Sequence, residues 1–257
     1  MEKSNNRDIV ALLSSRFTKI KFLAHGGMGV VYSAIDKELN RKVAIKLIRR
    51  EHLADGGYRK RLIREAKSLC ALRHPNIVRV YDFQESDKLT YLVLEFVEGT
   101  TLGQLQRTIR LRPKEVVQLI VKLADALAAV HQAKLLHRDI KPDNIIITDD
   151  GKPTFIDFGL TLRDNSAEDT RLTETGCLVG TVGYLAPELL FGAQHTNKCD
   201  IYQLGVVFYE LLTNKELVDG PKFNEMLRGK EIEIIPPSRL SDADQELDEI
   251  VLAAVKF

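Results

Sequence analysis

The string HRDIKPDN, His137 to Asn144, and the later DFG, Asp157 to Gly159, gather carboxylates, an amide and a lysine within a short span of chain. Carboxylate and amide oxygens suit a hard cation such as magnesium. Upstream, LAHGGMGVVYSA carries Gly26, Gly27 and Gly29. Glycines let a hairpin backbone approach phosphates closely with its N–H groups directed at them. VAIK then places Lys46 on a following strand, and REAKSLCAL places Glu65 on the helix after it. Taken singly, each has a plain alternative: a tight hairpin, a solvated strand lysine, a helix-surface glutamate, a turn rich in Asp, Asn and Pro. Together and in this order they point to phosphoryl transfer, a reaction that needs charge neutralisation and alignment more than covalent help.

The elements that must position these residues can be read from the pattern. From Phe17 to Leu47, short apolar runs broken by glycines predict antiparallel strands. A helix follows, with Leu62, Ala66, Leu69 and Cys70 at helical spacing, then two more strands in IVRVYDF and LTYLVLEFV. After Gly99 the chain turns helical: Pro113 opens a helix whose apolar stripe is Val116, Ile120, Leu123, Leu127 and Val130. NIIIT, the turn Asp149-Asp150-Gly151 and PTFIDFG predict a small hairpin, and IYQLGVVFYELL a buried helix.

The 257 residues, 44% of them hydrophobic, suffice for a buried core. A formal charge of +1 gives no electrostatic footprint for nucleic acid or an anionic membrane. Cys70, Cys177 and Cys199, odd in number and widely spaced, fit reduced thiols and a cytoplasmic setting better than disulfides or a zinc site. The N-terminus lacks the apolar stretch of a signal peptide, and no window reaches the roughly 18 apolar residues of a membrane span, so this segment is expected to make no membrane contact.

With these motifs in this order, from about Phe17 to Phe257, the chain resembles the eukaryotic-like (Hanks-type) serine/threonine protein kinases, in particular their bacterial group. The resemblance implies an α+β, bilobal fold: a small antiparallel-sheet N-lobe with one main helix at about 17–95, a hinge at about 95–99, and a larger helical C-lobe over 100–257. It implies one kinase domain across 1–257, using ATP with Mg2+, or Mn2+ in its place. The GxGxxGxV loop would span Leu23 to Val31, with Ala24 where the first glycine is usual, a mild departure because an extended strand end demands no positive φ. His25 near its tip would touch phosphate when protonated, or simply be solvated. Lys46 would bridge the α- and β-phosphates and pair with Glu65. Leu94 is the gatekeeper position, the backbone of Glu95 and Val97 the adenine edge, with Ala44 and Leu23 covering the ring; core packing is the alternative for the apolar members. Asp139 would accept or orient the substrate hydroxyl proton, Lys141 would neutralise the moving phosphate, and Asn144 and Asp157 would hold the metal.

Between DFG and the APE segment, Ala186 to Glu188, a loop rich in Thr, Ser and charge carries Thr173 and Thr175, which match the paired threonines that bacterial relatives phosphorylate on themselves. Phosphate there would pair with Arg138, with solvated loop threonines as the alternative. Thr181 would contact Asp139 and Lys141. Asp200, an acid at the start of the buried helix, is read as a cap or brace for the catalytic loop. The chain resembles the family's sequence up to its penultimate helix. It is therefore expected to continue beyond Phe257, since Glu188 would otherwise be a buried carboxylate lacking its arginine. Protein substrates, and a homodimer for mutual phosphorylation, follow from the resemblance. A nucleotide-binding scaffold without catalysis is disfavoured by the presence of Lys46, Glu65, Asp139, Asn144 and Asp157. A small-molecule phosphotransferase is disfavoured by GTVGYLAPE and the threonine-bearing loop.

Overall fold

Alternation of apolar side chains builds the first part of the molecule into a five-stranded antiparallel sheet, in a computed structural model that describes residues 9–26, 29–48, 56–86, 89–158 and 183–256. Its strands are β1 (Phe17–Gly26), β2 (Gly29–Asp36), β3 (Arg41–Ile48), β4 (Val80–Glu85) and β5 (Thr90–Glu95), in spatial order β1-β2-β3-β5-β4. Because successive side chains alternate across a strand, Val43, Ile45 and Leu47 share one face and join Tyr32, Ala34 and Val93 in a core. Ala44 and Lys46 take the other face. There the register sets Val31 opposite Lys46 and Lys46 opposite Leu92, with Ser33, Ala44 and Leu94 aligned two residues along.

A helical segment not foreseen in the sequence, α1 (9–13), covers the first of these faces: Leu13 and Phe17 are each 1% exposed within that core. It is tied down just past its end. Arg16 donates from Nε to the buried Asp36 carboxylate at 3.2 Å and from Nη1 to Asp82 at 2.5 Å, joining β1, β2 and β4 at one point. Burial works against the Asp82 charge, but the hydrogen bonds from Arg16 and Gln84 outweigh it and hold its carboxyl below the ordinary range. Helix α2 (Gly56–Ala71) buries Leu62, Ala66 and Leu69 of the stripe expected of it, leaves Cys70 half-buried, and packs against β4.

The described residues divide into two compact units, one up to Val97 and the other from Glu98 onward. The second unit is mostly helical. It contains a three-stranded sheet, β6 (Thr100–Thr101), β7 (Ile145–Ile147) and β8 (Pro153–Phe155), and the helices α3 (Leu102–Gln106), α4 (Pro113–Gln132), α5 (Pro187–Leu190), α6 (Asn197–Thr213), α7 (Gly220–Leu227) and α8 (Glu246–Ala254). The expected hairpin is β7–β8, closed by a turn in which the Gly151 amide donates to Thr148 at 2.8 Å. The β6 pairing was not foreseen. It brings Gly99, φ +149, so near β7 that a Cβ there would stand 2.3 Å from the Ile147 carbonyl oxygen, which explains the glycine.

Pro113 opens α4 as expected, with the Arg112 amide donating to Glu115 at 2.8 Å. The buried stripe is Val116, Leu119, Leu123, Ala126, Leu127 and Val130. Ile120, expected in it, lies half-buried at its edge, because Leu119 and Ala126 carry the 3.6-residue repeat on this face. Helix α6 is buried nearly all round and packs against α4 and α8, although Ile201 in its first turns stays 43% exposed. Glu188 at the start of α5 corrects a second expectation. It is exposed, and its carboxylate accepts from Cys199 Sγ at 3.2 Å, so water and this contact solvate its charge.

Candidate active site

In the first unit, the β1–β2 hairpin brings Gly26 opposite Gly29; Gly27 and Met28 between them lie outside the described residues. Gly29 has φ +153, and a Cβ would stand 2.0 Å from the Leu47 carbonyl oxygen, so no larger residue fits where this hairpin crosses β3. Ala24 pairs with Val31 in ordinary strand conformation, and so requires no glycine. Leu23 is 46% exposed, and His25, opposite Val30, rests its ring 4.7 Å from that of Phe22. Lys46 is 6% exposed despite its charge, flanked by Val31 and Leu92, with Ala44 and Leu94 aligned beside it. Glu65 is half-buried on α2. The Glu95 amide donates to the Arg79 carbonyl at 2.8 Å, which ends β5 just ahead of Val97.

In the second unit, the chain between α4 and β7 carries Asp139, Lys141 and Asn144. Asp139 is gripped on both sides. Lys141 Nζ lies 3.0 Å from its Oδ1 and 2.9 Å from Oδ2, while Asn144 Nδ2 donates to its Oδ2 at 2.7 Å and to its backbone carbonyl at 2.8 Å. A 3-10 turn over Pro142–Asn144 presents Asn144 this way. The Ile156 amide donates to the Asn144 carbonyl at 3.0 Å, so the β7–β8 register places Asp157 at the same end of the hairpin as Asn144. The His137 ring, fully buried, packs 4.7 Å from both Phe155 and Phe158, fixing the DFG segment against this loop.

Helix α6 holds the loop from beneath. Asp200 is fully buried, and its carboxylate accepts the amides of His137 at 2.9 Å and Arg138 at 2.8 Å. Of the two roles expected of it, it fills the brace; the cap is Thr196, its Oγ1 accepting the Lys198 amide at 3.2 Å. Freed from capping, Asp200 serves the loop. Burial disfavours its charge, yet hydrogen bonds from His131 and His195 outweigh this and keep the carboxyl well below the ordinary range. Gln203, one turn further along α6, accepts the Ile140 amide at 3.0 Å and donates to the Arg138 carbonyl at 3.3 Å. Arg138 itself is buried and takes the left-handed conformation, φ +68. His131, His195 and Gln203 escaped the sequence reading. Only Gln203 left a signal, since the i, i+3 spacing from Asp200 puts both on one helix face.

Close by, Tyr184 Oη donates to Glu210 Oε2 at 2.5 Å. Burial, reinforced by Glu216, pushes the Glu210 carboxyl up to about 7 in spite of that hydrogen bond. Thr173, Thr175, Thr181 and Cys177 lie outside the described residues.

A family profile described as "Protein kinase domain" covers residues 17–253. Serine/threonine-protein kinase PrkC of Bacillus subtilis is 41% identical over 209 residues, 81% of this chain and 32% of that protein. Serine/threonine-protein kinase PknA of Mycobacterium tuberculosis is 37% identical over 248 residues, 93% of this chain and 57% of that protein. The chain therefore spans between 32% and 57% of these relatives' length. The crystal structure of the Mycobacterium tuberculosis PknI kinase domain aligns with a TM-score of 0.69 at 26% identity, over 93% of this chain and 88% of that one.

Proposed function

Since the chain belongs to the protein kinase domain family, we propose that it is a serine/threonine protein kinase domain, transferring the γ-phosphate of ATP to protein hydroxyls. The observation that carries this reading is Asp139, a carboxylate held between Lys141 and Asn144 on a loop pinned to a buried helix. In the step, a Ser or Thr oxygen forms a bond to the γ-phosphorus as the bond to the ADP oxygen breaks, and the hydroxyl proton passes to Asp139. Lys141 neutralises the moving phosphoryl group. Lys46, paired with Glu65, steadies the other phosphates, and the glycine hairpin covers them with backbone N–H groups.

Magnesium would neutralise charge on the phosphates, with Asn144 and Asp157 as its protein ligands. The donor set fits. Both observed hydrogen bonds of Asn144 use its amide NH2, which leaves its carbonyl oxygen as the atom to meet a cation. Among the described residues no group of three or more His, Cys, Asp or Glu could hold a metal ion. Mn2+ would serve the same oxygens.

The kinase domain occupies the whole chain in this reading, with Leu94, Glu95, Val97, Ala44 and Leu23 around adenine and Thr181 beside Asp139. Thr173 and Thr175 are sites of autophosphorylation, within one chain or between two, with Arg138 meeting the phosphate, in a signalling role. The partners are proteins and the setting is cytoplasmic. Among the described residues no helix is long and apolar enough to cross a membrane. The test is transfer of labelled γ-phosphate from Mg·ATP to the chain itself and to a generic basic protein, with phosphosite mapping. Label that appears with the native chain and vanishes with Asp139→Asn supports the reading. No label with retained ATP binding would turn it to a scaffold.

A further inference from the structure

The buried Asp200 carboxylate is held in a symmetrical way. Each oxygen accepts one backbone amide and faces one imidazole: Oδ2 takes the His137 amide and His131 Nε2, both at 2.9 Å, and Oδ1 takes the Arg138 amide at 2.8 Å and His195 Nε2 at 3.0 Å. The two imidazoles come from different elements. His131 lies in the last turn of α4, and His195 stands in the loop just ahead of α6, with side chains 16% and 9% exposed. We propose that His195 is a positioning residue for phosphoryl transfer, completing with His131 a lock on the plane of the Asp200 carboxylate so that it presents both oxygens to the loop carrying Asp139. This rests on the kinase reading given above.

The physical case is one of leverage. Arg138, the residue before Asp139, sits in the left-handed region, which a non-glycine residue adopts only when its surroundings over-determine it. Its amide is held by Asp200 and its carbonyl by Gln203, so both α6 groups help to hold its unusual dihedrals. With the two backbone amides alone, a turn about the Cβ–Cγ bond would break one hydrogen bond on each oxygen, whereas with four donors, two on each oxygen, it would break twice as many in a buried site. Each imidazole must carry its proton on Nε2 to donate to a carboxylate, so a neutral side chain with an N–H at that point should do the same work. Glutamine places its amide nitrogen close to where Nε2 stands.

The experiment uses the full chain, with His131→Leu and His195→Leu singly and together, and the matching glutamine variants. It reads kcat and the KM for ATP with a protein substrate. The nucleotide-facing residues Lys46, Glu65 and the glycine hairpin belong to the other unit and are untouched. The double leucine variant is expected to lose about tenfold or more in kcat, in keeping with the weight of buried hydrogen bonds to a charge. Its KM for ATP should stay within about twofold, and glutamine should restore most of the rate. Leucine variants that keep the native kcat, or glutamine variants that fall as far as leucine, overturn the proposal. If the leucine variants do not fold, His195→Ala against His195→Gln makes the same comparison at the loop position, where no helix is interrupted. A native chain that transfers no phosphate refutes the kinase reading itself, an outcome distinct from an active chain indifferent to its histidines.

Discussion

Replacing Glu210 with glutamine should change how stability depends on pH. The folded protein holds the Glu210 carboxyl up to about 7, against an ordinary value near 4.5. Burial is the main cause, Glu216 adds repulsion, and the Tyr184 hydrogen bond works in the opposite sense without prevailing. Below the unfolded value both states carry the proton and the group is silent. Between the two values the folded state keeps a proton that the unfolded chain has released, so stability falls as pH rises. Above the folded value the cost is complete. A separation of this size corresponds to about 3 kcal/mol, which for a chain of this length is roughly 6–12 °C in Tm. Glu210→Gln keeps an oxygen to accept from Tyr184 and does not titrate. Urea unfolding of the two proteins from pH 4.5 to 8.5 gives the difference directly, because other titrating groups cancel. The glutamine variant should gain on the native chain as pH rises through 5 to 7, with the difference level above about 8. Tyr184→Phe should move the upper bend to higher pH. A difference that stays flat across the range would refute the reasoning.

Three further outcomes are expected. Thr173→Ala with Thr175→Ala should lower transfer activity while leaving ATP affinity near normal, measured by phosphate transfer and nucleotide titration; undiminished activity would show that these threonines are not the switch. Gly205→Val should destabilise by about 1–3 kcal/mol or more in urea, because a Cβ there already meets Ala254 Cβ at 2.8 Å and Val255 Cγ1 at 2.9 Å where α6 crosses α8. Arg16→Gln should cost about 2 kcal/mol by the same assay, less than a fully buried pair since Arg16 is partly solvated, through the charge left on the buried Asp36. A change under about 0.5 kcal/mol would place Arg16 among surface salt bridges of little weight.

The residues expected to do chemistry could be picked out because their order and spacing are local: HRDIKPDN and DFG need only the β7–β8 hairpin to bring Asn144 and Asp157 to one end. The sheet was legible through its alternation, and α4 through Pro113 and a helical period that included the half-buried Ile120 and passed over the buried Leu119 and Ala126. What the sequence concealed depends on partners far along the chain. His131 reaches Asp200 across 69 positions, and no local pattern marks a histidine as the donor a buried carboxylate needs. For Asp200 the sequence offered cap and brace side by side; Thr196 takes the capping role and Asp200 the bracing one. Glu188 was expected to be buried and is exposed, which no motif encodes. The described residues of α1, 9–13, are too few for a periodic signal, and their purpose shows against Tyr32, Ala34 and Ile45.

That small α1 bears on how the protein is produced. The family profile begins at residue 17, so a recombinant fragment trimmed to it would discard Leu13 and Arg16 together. The trimmed protein would present a bare apolar sheet face and an unneutralised Asp36, and would come out of cells as aggregate more readily than as enzyme. Cloning primers should therefore be placed ahead of residue 9, so that the gene fragment carries the lid of its own sheet.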